Sequence, residues 1–172
     1  MMTPEQVKGT QFELWLEMLL ARKGYHSVLR DVHYHKGRHV FRQIDVQYET
    51  LRSGRIITVI IEAKYTSNGV IHNAFRDHPP QKARLAIPRI ETLVQEVYEK
   101  AIFTRAQCAV LVTNGHFDES LHTEAKRYGI SCVEQEELMR QADIPNQEQL
   151  EKQIRCVDIA SLRLPPHRVY TR

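Results

Sequence analysis

Arg55-Ile56-Ile57-Thr58-Val59-Ile60-Ile61-Glu62-Ala63-Lys64 is the stretch that decides the fold. Six β-favouring residues in a row, bounded by charge, predict a short strand buried on both faces. Side chains alternate along a strand, so Glu62 and Lys64 share one face and Ala63 takes the other. Opposite charges at the end of a buried strand are costly unless they are paired, hydrogen-bonded or holding a metal. A plain strand-end ion pair satisfies that requirement, and so does a functional site.

The preceding stretch separates the two readings. From Val40 to Glu49 the even positions are mostly apolar and the odd ones, after Phe41, are polar, which predicts a half-buried strand. Asp45 lies in its middle between Ile44 and Val46. Ser53-Gly54 predicts a turn into the Ile-rich strand. Paired as a hairpin, the two strands would bring Asp45 and Glu62 towards one end of the pair.

Upstream, residues 4 to 23 read as a helix. Thr3 is a candidate N-cap, Pro4 suits the first helical position, and Phe12, Trp15, Leu16, Leu19 and Leu20 recur at helical spacing before Gly24. Glu13 and Glu17 lie one turn apart on this helix; a solvated face suits Glu17, whereas Glu13 is balanced between that and a site. Residues 25 to 35 predict a strand leading to a Lys36-Gly37-Arg38 turn. His33 and His35 share a strand face near His39, so a zinc site completed by a third ligand is one reading and exposed hairpin histidines the other.

Downstream, residues 65 to 80 lose periodicity, with Asn68-Gly69 and Pro79-Pro80 as breakers. Lys64, His72, Arg76 and His78, followed by Lys82 and Arg84, would wall a polyanion or simply solvate a loop. A helix is expected from Ile87 or Pro88 to about Ala101, with Ile90, Leu93, Val94, Val97 and Tyr98 as its apolar stripe. A strand at 107–113, a helix from Asp118 to Tyr128 and a short edge strand from Ile130 to Val133 form a parallel crossover joined to the hairpin in one mixed sheet. Beyond Glu134 the pattern is helical and polar, ending in Leu164-Pro165-Pro166 and a basic tail with no acid after Asp158. The expected division is a domain over 1–142 and a helical, basic extension over 143–172.

With 172 residues, 42% hydrophobic and 26% charged, the chain suits one well-buried domain. No apolar run approaches the ~20 residues needed to span a bilayer, and the N-terminus has no signal-peptide pattern, so a cytoplasmic location is the expectation. Cys108, Cys132 and Cys156 fit neither a disulfide framework nor a zinc knuckle, which favours a reducing compartment. A net charge of +3 permits nucleic-acid binding without requiring it.

An early helical carboxylate, then an Asp, then Glu-x-Lys after an apolar strand resembles the PD-(D/E)XK nuclease superfamily, and within it the Mrr-like restriction endonuclease domain. The matching pieces are Gly9-Thr10-Gln11-Phe12-Glu13, Gly24-Tyr25, Gln43-Ile44-Asp45-Val46, Ile61-Glu62-Ala63-Lys64, and Val112-Thr113-Asn114-Gly115 with Phe117 and Ala125. They span roughly residues 7 to 140. Ile44 stands where the superfamily usually has Pro, and Gln81, the candidate for the family's helix-leading Gln, follows two prolines.

The resemblance implies a restriction-endonuclease-like α/β fold, a central mixed β-sheet flanked by helices, and a metal-dependent endonuclease hydrolysing DNA. Asp45 and Glu62, with the Ala63 carbonyl, would hold Mg2+, for which Mn2+ can substitute. Lys64 would orient or help deprotonate the attacking water, and Glu13 would support the metal or bind a second ion. Gln81 completes the implied catalytic set. Cutting both strands of a duplex implies a homodimer. The alternatives are a non-catalytic DNA-binding or assembly module of the same fold, and a nuclease specific for junctions or flaps.

Overall fold

The computed structural model describes residues 2–37, 40–78, 89–160 and 166–171. Helix α1 (Pro4–Arg22) starts where the sequence places it. Thr3 and Gln6 satisfy each other's backbone N–H groups in a capping box with Pro4 just inside. Strands β1 (His26–Lys36), β2 (Val40–Arg52) and β3 (Arg55–Lys64) form an antiparallel meander. Arg52 pairs with Arg55 around Ser53 and Gly54, both at positive φ (50° and 75°), the conformation that suits a two-residue hairpin turn.

The predicted loop at 65–80 carries two short strands, β4 (Val70–Ile71) and β5 (Phe75–His78). The latter pairs with β6 (Arg89–Thr92), so the helix expected from residue 87 or 88 begins later, as α2 (Leu93–Thr104). The reason is local: Thr92 is extended, its hydroxyl accepts from the Gln95 N–H, and the Gln95 side chain returns to the Thr92 N–H. Apolar periodicity through Ile90 blurs that boundary in the sequence.

The crossover follows as expected: β7 (Cys108–Thr113), the short β8 (His116–Phe117) and α3 (Glu119–Tyr128), capped by Asp118 and stopped by Gly129 at φ 68°. Strand β9 (Ser131–Val133), α4 (Gln135–Ala142), α5 (Gln147–Arg155) and β10 (His167–Thr171) complete the chain. The principal sheet runs β10-β1-β2-β3-β7-β9, parallel at β10–β1, β3–β7 and β7–β9, antiparallel between. This is the mixed α/β architecture expected, with β9 at one edge.

Each sheet face has its own core. Phe12, Trp15, Leu16 and Leu19 of α1 pack with Val46, Ile61, Ala63 and Val112 and with Leu138, Leu150 and Ile154 from the last two helices. On the other face Leu93, Val94, Val97, Leu121 and Ala125 cover Ile60, Ala109 and Leu111. Residues 143–171 therefore contribute α5 to the first core, and the basic tail contributes β10, paired with β1 in register Val32 to His167. Proline breakers and a polar pattern conceal that strand in the sequence. Among the described residues no helix is long and apolar enough to cross a membrane.

Candidate active site

Where β2 leaves β3, its inward side chains change face. Arg30 pairs with Val46 and Val32 with Ile44, yet Val46 belongs to the α1 core and Ile44 to the opposite one. Asp31, between these pairs, has φ 51°, a strained value for a non-glycine residue. Asp45 sits at this turnover, one residue past the Val46–Ile61 pair that ends the β2–β3 register. Its Oδ2 accepts the Ala63 N–H at 2.8 Å, so the carboxylate binds the backbone of β3 where the ladder ends.

Among the described residues Glu62 is the most deeply buried charge, 3% exposed. One oxygen accepts from Lys64 Nζ at 2.5 Å and the other from Lys100 Nζ at 2.6 Å. Lys64 also stands 3.9 Å from Asp45 Oδ2, so it lies between the two carboxylates. Lys100, from α2, is itself buried and reaches Glu96 Oε1 at 3.0 Å. Glu13 projects from α1 towards the same end of the sheet, 3.6 Å from Arg30, which also approaches Glu17 at 3.9 Å.

Burial and mutual repulsion divide these groups. Burial, reinforced by the Asp45 charge, pushes Glu13 up to about 8; burial and the Glu62 charge push Asp45 up to about 6. Burial would also raise Glu62, but the Lys100 and Lys64 ammoniums overcome it and hold that carboxyl down at about 2. Both lysines are raised: burial works against their charge, and Glu62 and Asp45 outweigh it. Glu62 is therefore a fixed anion, whereas burial and the neighbouring carboxylate outweigh the Arg30, Lys64 and Lys100 charges at Glu13 and Asp45 and oppose their ionisation.

Of the residues singled out in the sequence, Glu13, Asp45, Glu62 and Lys64 come together, with Ala63 supplying a backbone donor to Asp45. Gln81 lies outside the described residues, as do Lys82, Arg84 and His39. His33 bonds Asp31 Oδ1 at 2.9 Å, and His35 stacks on Tyr170 with ring centres 5.3 Å apart. Exposed His72 contacts Asp118 at 3.0 Å. Among the described residues, the one trio of His, Cys, Asp or Glu with ligand atoms all within 4.8 Å of one another is His116, Glu134 and Glu136, away from the predicted histidine cluster.

Lys100 is the site residue that the sequence reading missed. Its signal was present: Leu93, Val97, Lys100 and Thr104 follow helical spacing on the buried face of α2, so a lysine interrupts an apolar stripe. A charge at such a position needs a buried partner, and Glu62 is that partner.

No family model matches the sequence, and no curated protein matches it significantly. Among solved structures the chain is similar to a protein of unknown function, AF1548, with a TM-score of 0.50 and 18% identity over 74% of this chain and 58% of that one. It also matches VC1899 from Vibrio cholerae (0.46, 14%, 84% and 32%). A third match is the DNA modification-dependent restriction endonuclease AspBHI (0.44, 16%, 90% and 40%). The chain covers less than two thirds of each of these proteins. At 18% identity, the likeness to AF1548 is one of fold alone.

Proposed function

We propose that the protein is a metal-dependent endonuclease of the restriction-endonuclease-like, Mrr type, which hydrolyses DNA phosphodiester bonds. The observation that carries this reading is the grouping of buried Asp45 and Glu62 on either side of the Lys64 ammonium. Two buried carboxylates where the β2–β3 ladder ends do nothing for stability that apolar side chains would not do better.

The donor set suits a hard divalent cation. Asp45 Oδ1 makes no hydrogen bond among the described residues, and Glu13 has only its long contact with Arg30. Glu13 and Asp45 are raised first by burial and then by a neighbouring carboxylate charge, a repulsion that a bound dication would relieve. Asp45, Glu62 and the Ala63 carbonyl would hold Mg2+, with Mn2+ able to substitute. Bound there, the ion would supply an acidified water and neutralise charge developing at phosphorus. Lys64, at 20% side-chain exposure one of the two more open members of the group with Glu13, would hold the scissile phosphate and orient the attacking water. Glu13 would support the ion from α1. A homodimer is expected because two strands need two such sites.

Two contacts favour a second reading. Both Glu62 oxygens are occupied by lysines, as they would be in a DNA-binding module without hydrolysis. Cleavage of supercoiled plasmid with Mg2+ or Mn2+ separates the two. Wild type should nick or linearise it, and Asp45→Asn and Lys64→Ala should each lose roughly 100-fold or more, the scale of removing one transition-state stabiliser, with circular dichroism unchanged. Undiminished cutting by both variants would refute the assigned site. No cutting by wild type, with DNA still bound, would support the module.

A further inference from the structure

We propose that Lys100 is a resident counter-cation: it occupies Glu62 in the metal-free protein and yields that carboxylate when a divalent ion binds. This rests on the reading of Asp45 and Glu62 as metal ligands.

The geometry supports an exchange rather than a permanent ion pair. Lys64 and Lys100 approach opposite oxygens of Glu62, at 2.5 and 2.6 Å. Lys64 leans towards Asp45, 3.9 Å away, on the side where an ion would be shared. Lys100 comes from α2 and already touches a second carboxylate, Glu96, at 3.0 Å and one helical turn away. When Glu62 turns to a metal, Lys100 keeps Glu96 as its counter-charge and is not stranded in the core. A lysine has a flexible four-carbon stem with three donors, so it can make that small transfer.

Charge counting points the same way. Asp45, Glu62 and Glu96 carry three negative charges against the two of Lys64 and Lys100, so the metal-free group is nearly neutral. Adding a dication leaves an excess of positive charge in a buried place, whereas without Lys100 the same dication would balance the group. Lys100 therefore sets a lower metal affinity than the carboxylates alone would give, and keeps Glu62 ordered before the ion arrives.

The test is direct Mn2+ binding, read by the paramagnetic resonance signal of free ion, without DNA. Compared with wild type, Lys100→Met should bind Mn2+ about tenfold more tightly, the effect of about 1.4 kcal/mol. A residue that merely props up Glu62 would give the opposite sign. Lys100→Gln, neutral yet able to hydrogen-bond Glu62, should shift affinity the same way if the methionine variant folds poorly. Lys126→Met, on the exposed side of α3, controls for net charge and should leave affinity unchanged. Unchanged or weaker binding in both Lys100 variants overturns the proposal, provided Asp45→Asn still abolishes wild-type binding. If no protein shows Asp45-dependent binding, the metal-site reading itself falls, and this proposal with it.

Discussion

Replacing Glu13 with Gln should stabilise the protein at neutral pH. The Glu13 carboxyl has an ordinary value of 4.5 and is raised to about 8 in the fold, mainly by burial and the Asp45 charge. Between these values the folded chain retains a proton that the unfolded chain has released, so stability falls as pH rises. At 1.36 kcal/mol per pH unit over the roughly 2.5 units from 4.5 to 7, the cost at pH 7 is about 3 kcal/mol. Gln has no such proton to lose and keeps the shape. Urea unfolding at pH 5, 6, 7 and 8 should show the Glu13→Gln advantage growing from about 1 kcal/mol at pH 5 through about 3 at pH 7 to about 4 at pH 8, and levelling off above that, with the denaturant slope unchanged. Asp45, raised to about 6 from 3.8, adds a loss of the same sign over a lower window in both proteins. A Glu13→Gln protein less stable than wild type at pH 8 would refute the reasoning. It would mean that Glu13 is ionised and that its contact with Arg30 is a stabilising salt bridge.

The loss of cleavage in Asp45→Asn and Lys64→Ala, and the tighter Mn2+ binding of the Lys100 variants, are stated above with their assays. Two further expectations concern the frame. Ile154→Ala in α5 removes a fully buried side chain from the α1 core and should cost about 2–5 kcal/mol in chemical denaturation. A cost below 1 kcal/mol would mean that α5 does not belong to the cooperative unit. Gly115→Ala places a Cβ 2.4 Å from the Gly69 carbonyl oxygen and 2.6 Å from Thr66 Cγ2, where backbone must move. It should lower stability by about 1–3 kcal/mol, measured as a fall in melting temperature; an unchanged melt would show that the 66–69 loop gives way freely.

Elements with a local cause were legible in the sequence. The capping box and apolar spacing place α1, the Ser53-Gly54 pair sets the hairpin, and Asn114-Gly115 ends β7. Features whose cause lies elsewhere in the chain were not. The change of face at Asp45 lies opposite Asp31 of the neighbouring strand, whose φ is 51°. Strand β10 exists because β1 offers an edge about 135 residues earlier, and α2 starts late because β6 pairs with β5. At the site, Glu62 and Lys64 share a strand face by simple alternation, and Asp45 follows from the hairpin. Lys100 joins them only through the packing of α2 against the sheet, although its place in an apolar stripe was a readable sign.

The pairing of β10 with β1 and the packing of α5 on α1 have a consequence for synthesis. Gln11 donates to the carbonyls of Arg155 and Val157, at 2.9 and 3.0 Å, and Trp15 and Leu19 share a core with Leu150 and Ile154. At translation rates of about 5–20 residues per second, the first helix waits on the order of ten seconds for these partners. Until then its apolar stripe and the open edge of β1 are available to other chains. Closing a loop of about 130 residues also costs roughly 4 kcal/mol in chain entropy. The meander from β1 to β3 can form early, but the layer over it closes late, so the nascent chain is most prone to aggregate while its own last strand is still to be made.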